Sequence, residues 1–286
     1  LLENSMKTIF ASQTIKDSSI VTVGMGLSAI LSALSIFLIA RFLGPSGFGF
    51  YVSALAVAVI ITDSVELAIS NSLVKFASGS DRPLSFIKYG FYLKVGLGLF
   101  LGLLLAQLSR PLAQIIQPEL TGSLLIVSAF IPVLFLQRFP RSVLQSQKRF
   151  LADSFLEVMT SLLRLLFILG FYYWFNLTVN LAILAYILGA FGGFLIGAWL
   201  ISWQFLNQPV TASIKSAFFN FQKWLTFGFI VAAIHGRIDS VLLLRLSGSE
   251  ATGIYQAAYR FFMPVIQLAG ALSLVFAPRF ASFDSK

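Results

Sequence analysis

The sequence predicts an all-α polytopic membrane protein of about eight spanning helices, one six-helix bundle followed by the first two helices of a second. Three observations carry this. Hydrophobic residues make up 58% of the chain and charged ones 11%, with a mean hydropathy of +0.89. A soluble domain is about half apolar and roughly a quarter charged, so a water-soluble fold of this length has no means of hiding so much apolar surface. Eight runs reach the ~20 residues that cross a hydrocarbon core. Finally, Arg41-x-x-Gly44-x4-Gly49-x-Tyr51 recurs as Arg245-x-x-Gly248-x4-Gly253-x-Tyr255, displaced by 245 − 41 = 204 residues, and Ala54 and Ala258 extend the match.

Residues 1–17, with Glu3, Lys7, Lys16 and Asp17, read as a cytoplasmic segment without the apolar stretch of a secretory signal. The chain starts with Leu1, which reads as a piece of a longer reading frame. Span one covers 18–40 and is free of charge between Asp17 and Arg41. Span two, 48–74, carries Asp63 and Glu66, with Ser70 four residues on, all on one helical face. Span three, 84–109, holds Gly98-x3-Gly102, and span four, 119–146, holds Pro132 and Pro140, which remove backbone donors and predict kinks. Span five, 151–175, has a polar stripe of Asp153, Glu157, Ser161 and Arg164. Span six, 177–205, carries Gly189-x3-Gly193-x3-Gly197, a stripe of small residues that lets helix backbones approach. Span seven, 216–246, carries His235, Arg237 and Asp239; span eight, 250–280, carries Arg260 and Pro264. His235 and Asp239 share a face, whereas Arg237 sits about 200° from each, so no Arg237–Asp239 bond along the helix is expected.

Because spans seven and eight repeat spans one and two in the same direction, the repeat is parallel, about an axis along the membrane normal. Residues 18–205 then form the first six-helix bundle and 206–286 the start of an incomplete second one, which needs four more spans. Orientation follows from the connections. Lys7, Lys16, Lys75, Arg82, Lys88, Arg141, Lys148, Arg149, Lys215, Lys223, Arg279 and Lys286 lie at one set of ends, against Arg41, Arg110 and Arg245 at the other. That twelve-to-three bias places both termini in the cytoplasm. Phe171–Phe175 form an outer aromatic belt, and Trp199 and Trp203 anchor the inner end of span six. The net charge of +9 reads as topology signal rather than as a nucleic-acid surface, because the basic residues bracket apolar runs.

Charges inside spans are costly, at least about 2.5–3.5 kcal/mol each on insertion scales, and such groups face a partner or a watery cavity. Under the 204-residue offset Arg237 matches Ala33, Asp239 matches Ser35, Arg260 matches Ala56, Asp63 matches Gln267 and Glu66 matches Gly270. The scaffold repeats and the charges do not, which favours a functional role for them. With no cysteine, disulfides, thiolate zinc sites and cysteine nucleophiles are excluded, and a single histidine argues against a histidine-based metal site. There is no Walker lysine loop and no hydrolase nucleophile–base motif, so no enzyme activity and no cofactor is expected. Energy must come from an ion gradient, the membrane potential or a chemically driven substrate.

The stretch from Ala40 to Tyr51 (ARFLGPSGFGFY) and the stretch from Arg237 to Arg260 resemble the Wzx-type oligosaccharide flippases, also called polysaccharide biosynthesis or O-antigen transporters, of the multidrug/oligosaccharidyl-lipid/polysaccharide exporter superfamily. The resemblance implies two facing six-helix bundles, with spans one, two, seven and eight around a central cavity. It implies a lipopolysaccharide-type role, moving a polyprenyl-diphosphate-linked oligosaccharide from the inner to the outer leaflet of the cell membrane. Partners implied are that lipid-linked substrate, membrane lipids, and polysaccharide polymerases or glycosyltransferases, with no nucleic acid. Cationic cavity residues hold the diphosphate in this family, which on this chain points to Arg237 and Arg260 and, more peripherally, Arg164. Asp63 and Glu66 are then candidates to carry a coupling proton or sodium ion, and Asp239 a carboxylate that holds an arginine when the site is empty. The chain departs from the family in stopping after span eight. Two other readings are an ion-coupled multidrug exporter of the same superfamily, and a non-transporting fragment or assembly scaffold for polysaccharide enzymes.

Overall fold

The protein is described by a computed structural model covering residues 2–283, with side chains for residues 21–260 and Phe262. The side chains of the 1–17 segment, Pro264, Gln267, Arg279 and Lys286 lie outside the described residues. Among the described residues the chain is helix and short connections, with no strand. It folds as α1 (Leu2–Gly79), α2 (Pro83–Ile116), α3 (Thr121–Ser146), α4 (Phe150–Phe175), α5 (Val179–Leu200) and α6 (Ala212–Phe283), with short 3-10 turns at Pro118–Leu120 and Gln204–Asn207.

Six long helical stretches hold the eight expected spans: α1 contains spans one and two and α6 spans seven and eight, each as two helices that meet at a kink. The apolar part of α1, Val21–Gly79, has 59 residues, so a straight helix would run roughly 90 Å at about 1.5 Å per residue, three times the hydrocarbon thickness. It does not run straight. Gly44 has φ 68° and ψ 176°, and Gly248 has φ 83° and ψ 176°, a backbone region open essentially to glycine alone. One residue at each site interrupts the ladder and divides the helix into two limbs with no loop between them. Pro45, directly after Gly44, suits the first turn of the new limb because its missing N–H is one that a helix start leaves unpaired anyway.

Elsewhere the connections end helices by ordinary local chemistry. Pro83 opens α2, and the Thr178 hydroxyl accepts from the Leu181 N–H at 3.3 Å to cap α5. Asn176, at φ 54°, closes α4 in a conformation that asparagine tolerates better than most residues.

The glycine stripes do what their spacing predicts. A Cβ on Gly189 would meet the Arg164 backbone, one on Gly193 the Thr160 side chain, and one on Gly197 both Pro140 and Leu156. One face of α5 thus packs backbone-close on α4, with α3 at its foot. Gly98 and Gly102 of α2 receive Pro132 and Phe135 of α3 in the same way. α3 continues through both its prolines, and each proline ring fills space that a facing glycine leaves open. The core between helices is aromatic: Phe91, Phe139, Trp203 and Phe205 pack ring against ring. Trp203 is half-buried against this cluster, its Nε1 donating to the Ala198 carbonyl at 2.8 Å. Trp199 is 84% exposed and Trp174 80%, as lipid-facing anchors should be.

The repeat takes shape where the two broken helices cross. A Cβ on Gly49 would fall on the carbonyl of Ser249, and a Cβ on Gly253 on the carbonyl of Pro45. Pro45 and Ser249 are themselves 249 − 45 = 204 residues apart, as Gly49 and Gly253 are, so the contact is two-fold symmetric. Ser46 Oγ and Ser249 Oγ lie 2.7 Å apart beside it. The same end of the molecule holds the stacked Phe42–Tyr172 rings, Gln117 Nε2 donating to the Leu244 carbonyl at 3.0 Å, and Arg245 donating to the Ile115 carbonyl.

With the break end outside, a cysteine at Asn176 in this cysteine-free chain labels with a membrane-impermeant maleimide on intact cells. One at Gln147, exposed at the opposite end of α4, labels only after permeabilisation. The reverse pattern would overturn the orientation.

Candidate functional site

Three sets of polar residues lie within the spans, and they differ in how their charge is balanced. The first joins α1, α2 and α3. Lys94 Nζ donates to Glu66 Oε1 at 2.6 Å, and both side chains are fully buried. Arg138 Nη1 donates to Asp63 Oδ1 at 2.7 Å and to Glu66 Oε2 at 2.8 Å. The Ser70 hydroxyl donates to Glu66 Oε1 at 2.6 Å and accepts from Lys94 at 2.7 Å; Ser142 donates to Ser70 at 2.9 Å. Two carboxylates face two cations, and the hydroxyls occupy remaining donor and acceptor positions, which is what a buried ion network needs to be tolerated.

The second set joins α3 and α4. Arg141 bonds Asp153 at 2.8 Å and Glu157 at 2.9 Å, and Gln145 donates to Asp153 at 2.9 Å. Further along the α4 stripe, Ser161 meets Ser28 at 2.8 Å. The acidic half of the expected stripe is thus neutralised by a neighbouring helix. Among the described residues its Arg164 has no carboxylate partner: the guanidinium lies 3.7 Å over the Tyr186 ring of α5, and Nε is buried without a hydrogen-bond partner.

The third set lies under the crossing of α1 and α6. A cavity of about 670 Å³ opens between α1, mainly its first limb, and both limbs of α6, with Ser32, Phe37, Phe48, Arg237, Gln256 and Arg260 among its walls. Ala33, the repeat mate of Arg237, lines the same cavity. The two symmetric positions therefore face one space, one supplying charge and the other room. Among the described residues neither Arg237 nor Arg260 makes an ion pair, and Arg260 Nε is buried and unpartnered. Asp239 stands apart from both. Its carboxylate accepts from the Ser240 N–H at 2.7 Å and from Gln256 Nε2 at 3.3 Å. Gln256 also donates to Ser240 Oγ at 2.7 Å and so stands between Asp239 and the cavity. Among the described residues the donors to Asp239 are Ser240 and Gln256, and no arginine pairs with it. His235 is exposed on α6.

Two residues central to the first network were not singled out by sequence reasoning. Removing the fifteen Lys and Arg assigned to helix ends from the twenty present leaves 20 − 15 = 5: Lys94, Arg138, Arg164, Arg237 and Arg260. Lys94 and Arg138 lie as far inside their spans as the other three, and that remainder is the signal that finds them. Arg141 was counted as a topology residue and is instead the partner of Asp153 and Glu157.

Removing one member of the buried pair exposes its value. Lys94→Met should destabilise the protein by about 3–5 kcal/mol, because Glu66 keeps its burial and loses a cation. Adding Glu66→Gln should recover most of that loss. Unfolding of both variants in detergent measures the coupling; purely additive losses would show that the pair is not energetically linked.

Comparison with known proteins accords with the helix arrangement. A family profile described as polysaccharide biosynthesis protein matches residues 14–284. No curated protein sequence matches the chain. An outward-facing multidrug resistance MATE family transporter of the MOP superfamily superposes with a TM-score of 0.67 at 13% identity, covering 87% of this chain and 59% of that one. A MOP superfamily transporter from Pyrococcus furiosus, described by a binding pocket of reverse polarity that suggests a different function, gives 0.64 at 13% identity over 87% and 59%. A MATE protein in the bent conformation gives 0.59 at 12% identity over 87% and 60%. The chain therefore spans about three-fifths of the length of these structures, and at such identity the likeness is one of fold. A multi-pass helical chain with this fold, matched by the family profile over nearly its whole length, belongs to the polysaccharide biosynthesis protein family.

Proposed function

We propose that this chain is part of a flippase that carries a polyprenyl-diphosphate-linked oligosaccharide from the inner to the outer leaflet of the cell membrane. The observation that carries the reading is the cavity under the α1–α6 crossing, lined by Arg237 and Arg260 with no carboxylate paired to either among the described residues. A flippase must take a multiply charged head group through a low-dielectric slab. Fixed cations that have already lost much of their water offset part of that cost, and they are free to do so only if no protein carboxylate already satisfies them. Arginine suits the task, because its planar fork meets phosphate oxygens in pairs and keeps its charge when buried. Arg164, one helix away over Tyr186, adds a third cation. The work is carriage: no bond in the substrate is made or broken.

In this reading residues 18–205 are one bundle, and the remainder, 206–286, begins its facing partner, with both termini in the cytoplasm. Coupling falls to carboxylates. A proton or sodium ion at Asp63 or Glu66 would unbalance a network that now sets two anions against two cations, and so bias the second limb of α1 against α2 and α3. Asp239, reached from the cavity past Gln256, is the third candidate. Export of cationic drugs wants an anionic cavity, and the unpaired charges here are positive. A non-transporting scaffold for polysaccharide enzymes has no need of unpaired arginines around an internal space.

In the full-length protein, Arg260→Ala and Arg260→Lys should each abolish restoration of surface polysaccharide in a flippase-deficient cell, while the amount of protein in the membrane stays normal. Normal export by Arg260→Ala, or failure only through degradation, would remove Arg260 from the site.

A further inference from the structure

The end of the molecule opposite the crossing gathers a separate set of cations. From Gly49 to Lys75, α1 runs 75 − 49 = 26 residues, roughly 39 Å at about 1.5 Å per residue, which carries Lys75 past the ~30 Å hydrocarbon layer to head-group level. There the foot of α1 meets the starts of α2 and α6. The Phe76 ring stacks on Phe86 of α2 at 4.9 Å between centroids and meets Phe218 and Phe221 of α6 at 6.0 and 5.8 Å. Tyr89 of α2 stands edge-on to Phe218 at 5.3 Å. Lys75, an exposed residue, holds its Nζ 3.6 Å over the Phe221 ring. Lys88 Nζ donates to the carbonyl of Gln208, in the connection before α6, at 2.9 Å.

Two more cations lie one helical turn from this aromatic floor: Arg82, four residues before Phe86, and Lys215, three before Phe218, both exposed. Residues 75–88 and 208–224 hold a single carboxylate, Asp81. Among the described residues none of Lys75, Arg82, Lys88 and Lys215 makes an ion pair. A topology signal needs cations at this end of the spans, but it does not need four of them, from three helices, at one seam. Elsewhere at the same end, Arg141 is held by Asp153 and Glu157, and Arg149 donates to the Leu200 carbonyl.

We propose that the foot of the α1–α6 seam is a docking site for the head group of an anionic phospholipid, its phosphate held by Lys75 and Lys215 with Arg82 and Lys88 at the flanks. Charge complementarity selects the lipid: four cations face one carboxylate, and an anionic head group at the membrane surface supplies the missing charge. A ring face attracts Lys75 without neutralising it, so its ammonium keeps donors for phosphate oxygens. A choline head group is disfavoured, because Lys75 already covers the Phe221 face that a quaternary ammonium would use. A lipid held here bridges the foot of α1 and the start of α6, and makes that seam responsive to the anionic lipid content of its leaflet. The site is independent of what the cavity carries.

Native mass spectrometry of the purified chain tests this, with phosphatidylglycerol and phosphatidylcholine of the same acyl chains added in equal amounts. The unaltered chain should retain phosphatidylglycerol in preference. Lys75→Gln with Lys215→Gln should weaken the first phosphatidylglycerol by about fivefold per lysine, about twenty-fivefold for the pair. Lys148→Gln with Lys223→Gln removes the same charge at the same membrane end and should leave that binding unchanged. Lys75→Arg with Lys215→Arg keeps both charges and should bind like the unaltered chain; loss of binding there would assign the effect to packing at the foot and overturn the site. Equal losses in the two glutamine pairs would reduce it to general surface charge. Equal retention of the two lipids, or no loss from Lys75→Gln with Lys215→Gln, would overturn it outright. Release of the bound lipid by millimolar inorganic phosphate would make the site one for the free ion and overturn the lipid assignment.

Discussion

The backbones of Pro45–Gly49 and Ser249–Gly253 touch across a two-fold axis, and the rest of the arrangement depends on that contact. Any side chain at Gly49 or Gly253 would occupy the other strand's carbonyl. Without side chains the limbs close to backbone distance, where van der Waals contact and weak C–H···O bonds are available to helices that gain nothing from excluding lipid. The breaks at Gly44 and Gly248 lie one turn earlier in each helix and aim both limbs at the crossing. Residues of both helices wall the cavity, which is largely apolar with Arg237 and Arg260 among its lining.

Around this symmetric frame the charges are asymmetric, and their balance separates structure from site. Asp63, Glu66, Lys94 and Arg138 neutralise one another across three helices, and Arg141 neutralises Asp153 and Glu157 across two. Those networks tie α1 to α4 into a unit. Among the described residues the arginines near the crossing have no such partners, although burying a cation unpaired is the costlier arrangement. In the proposed function a ligand removes that cost. Stability and function thus draw on the same residue types in adjacent places, distinguished by whether the partner is part of the chain.

Much of this was legible in the sequence because it rests on glycine and on spacing. The paired Gly44/Gly248 and Gly49/Gly253 positions mark the break and the crossing, and the Gly189 stripe marks the α4–α5 seam. The absence of a loop at the breaks was not legible. A stretch rich in glycine with a proline, such as Ala40–Tyr51, reads as a connection between two spans, whereas a single glycine in an unusual backbone region turns the chain without spending any other residue. Lys94 and Arg138 lie on helices other than that of the carboxylates they meet, so no spacing along one helix pairs them. Which charges meet depends on helix rotation and neighbour choice. Periodicity along one helix says nothing of either, and so Asp239 was expected beside an arginine and is found beside Gln256.

The crossing itself is open to a direct measurement. The chain has no cysteine, and Ser46 Oγ and Ser249 Oγ lie 2.7 Å apart. With Ser46→Cys and Ser249→Cys together, mild oxidation in the membrane should form an internal disulfide rapidly and almost completely, seen as a mobility shift reversed by reductant. The bond should form poorly once Gly49→Leu holds the limbs apart. A double-cysteine protein that stays reduced, or that cross-links as readily with leucine at position 49, would contradict the contact on which the cavity depends.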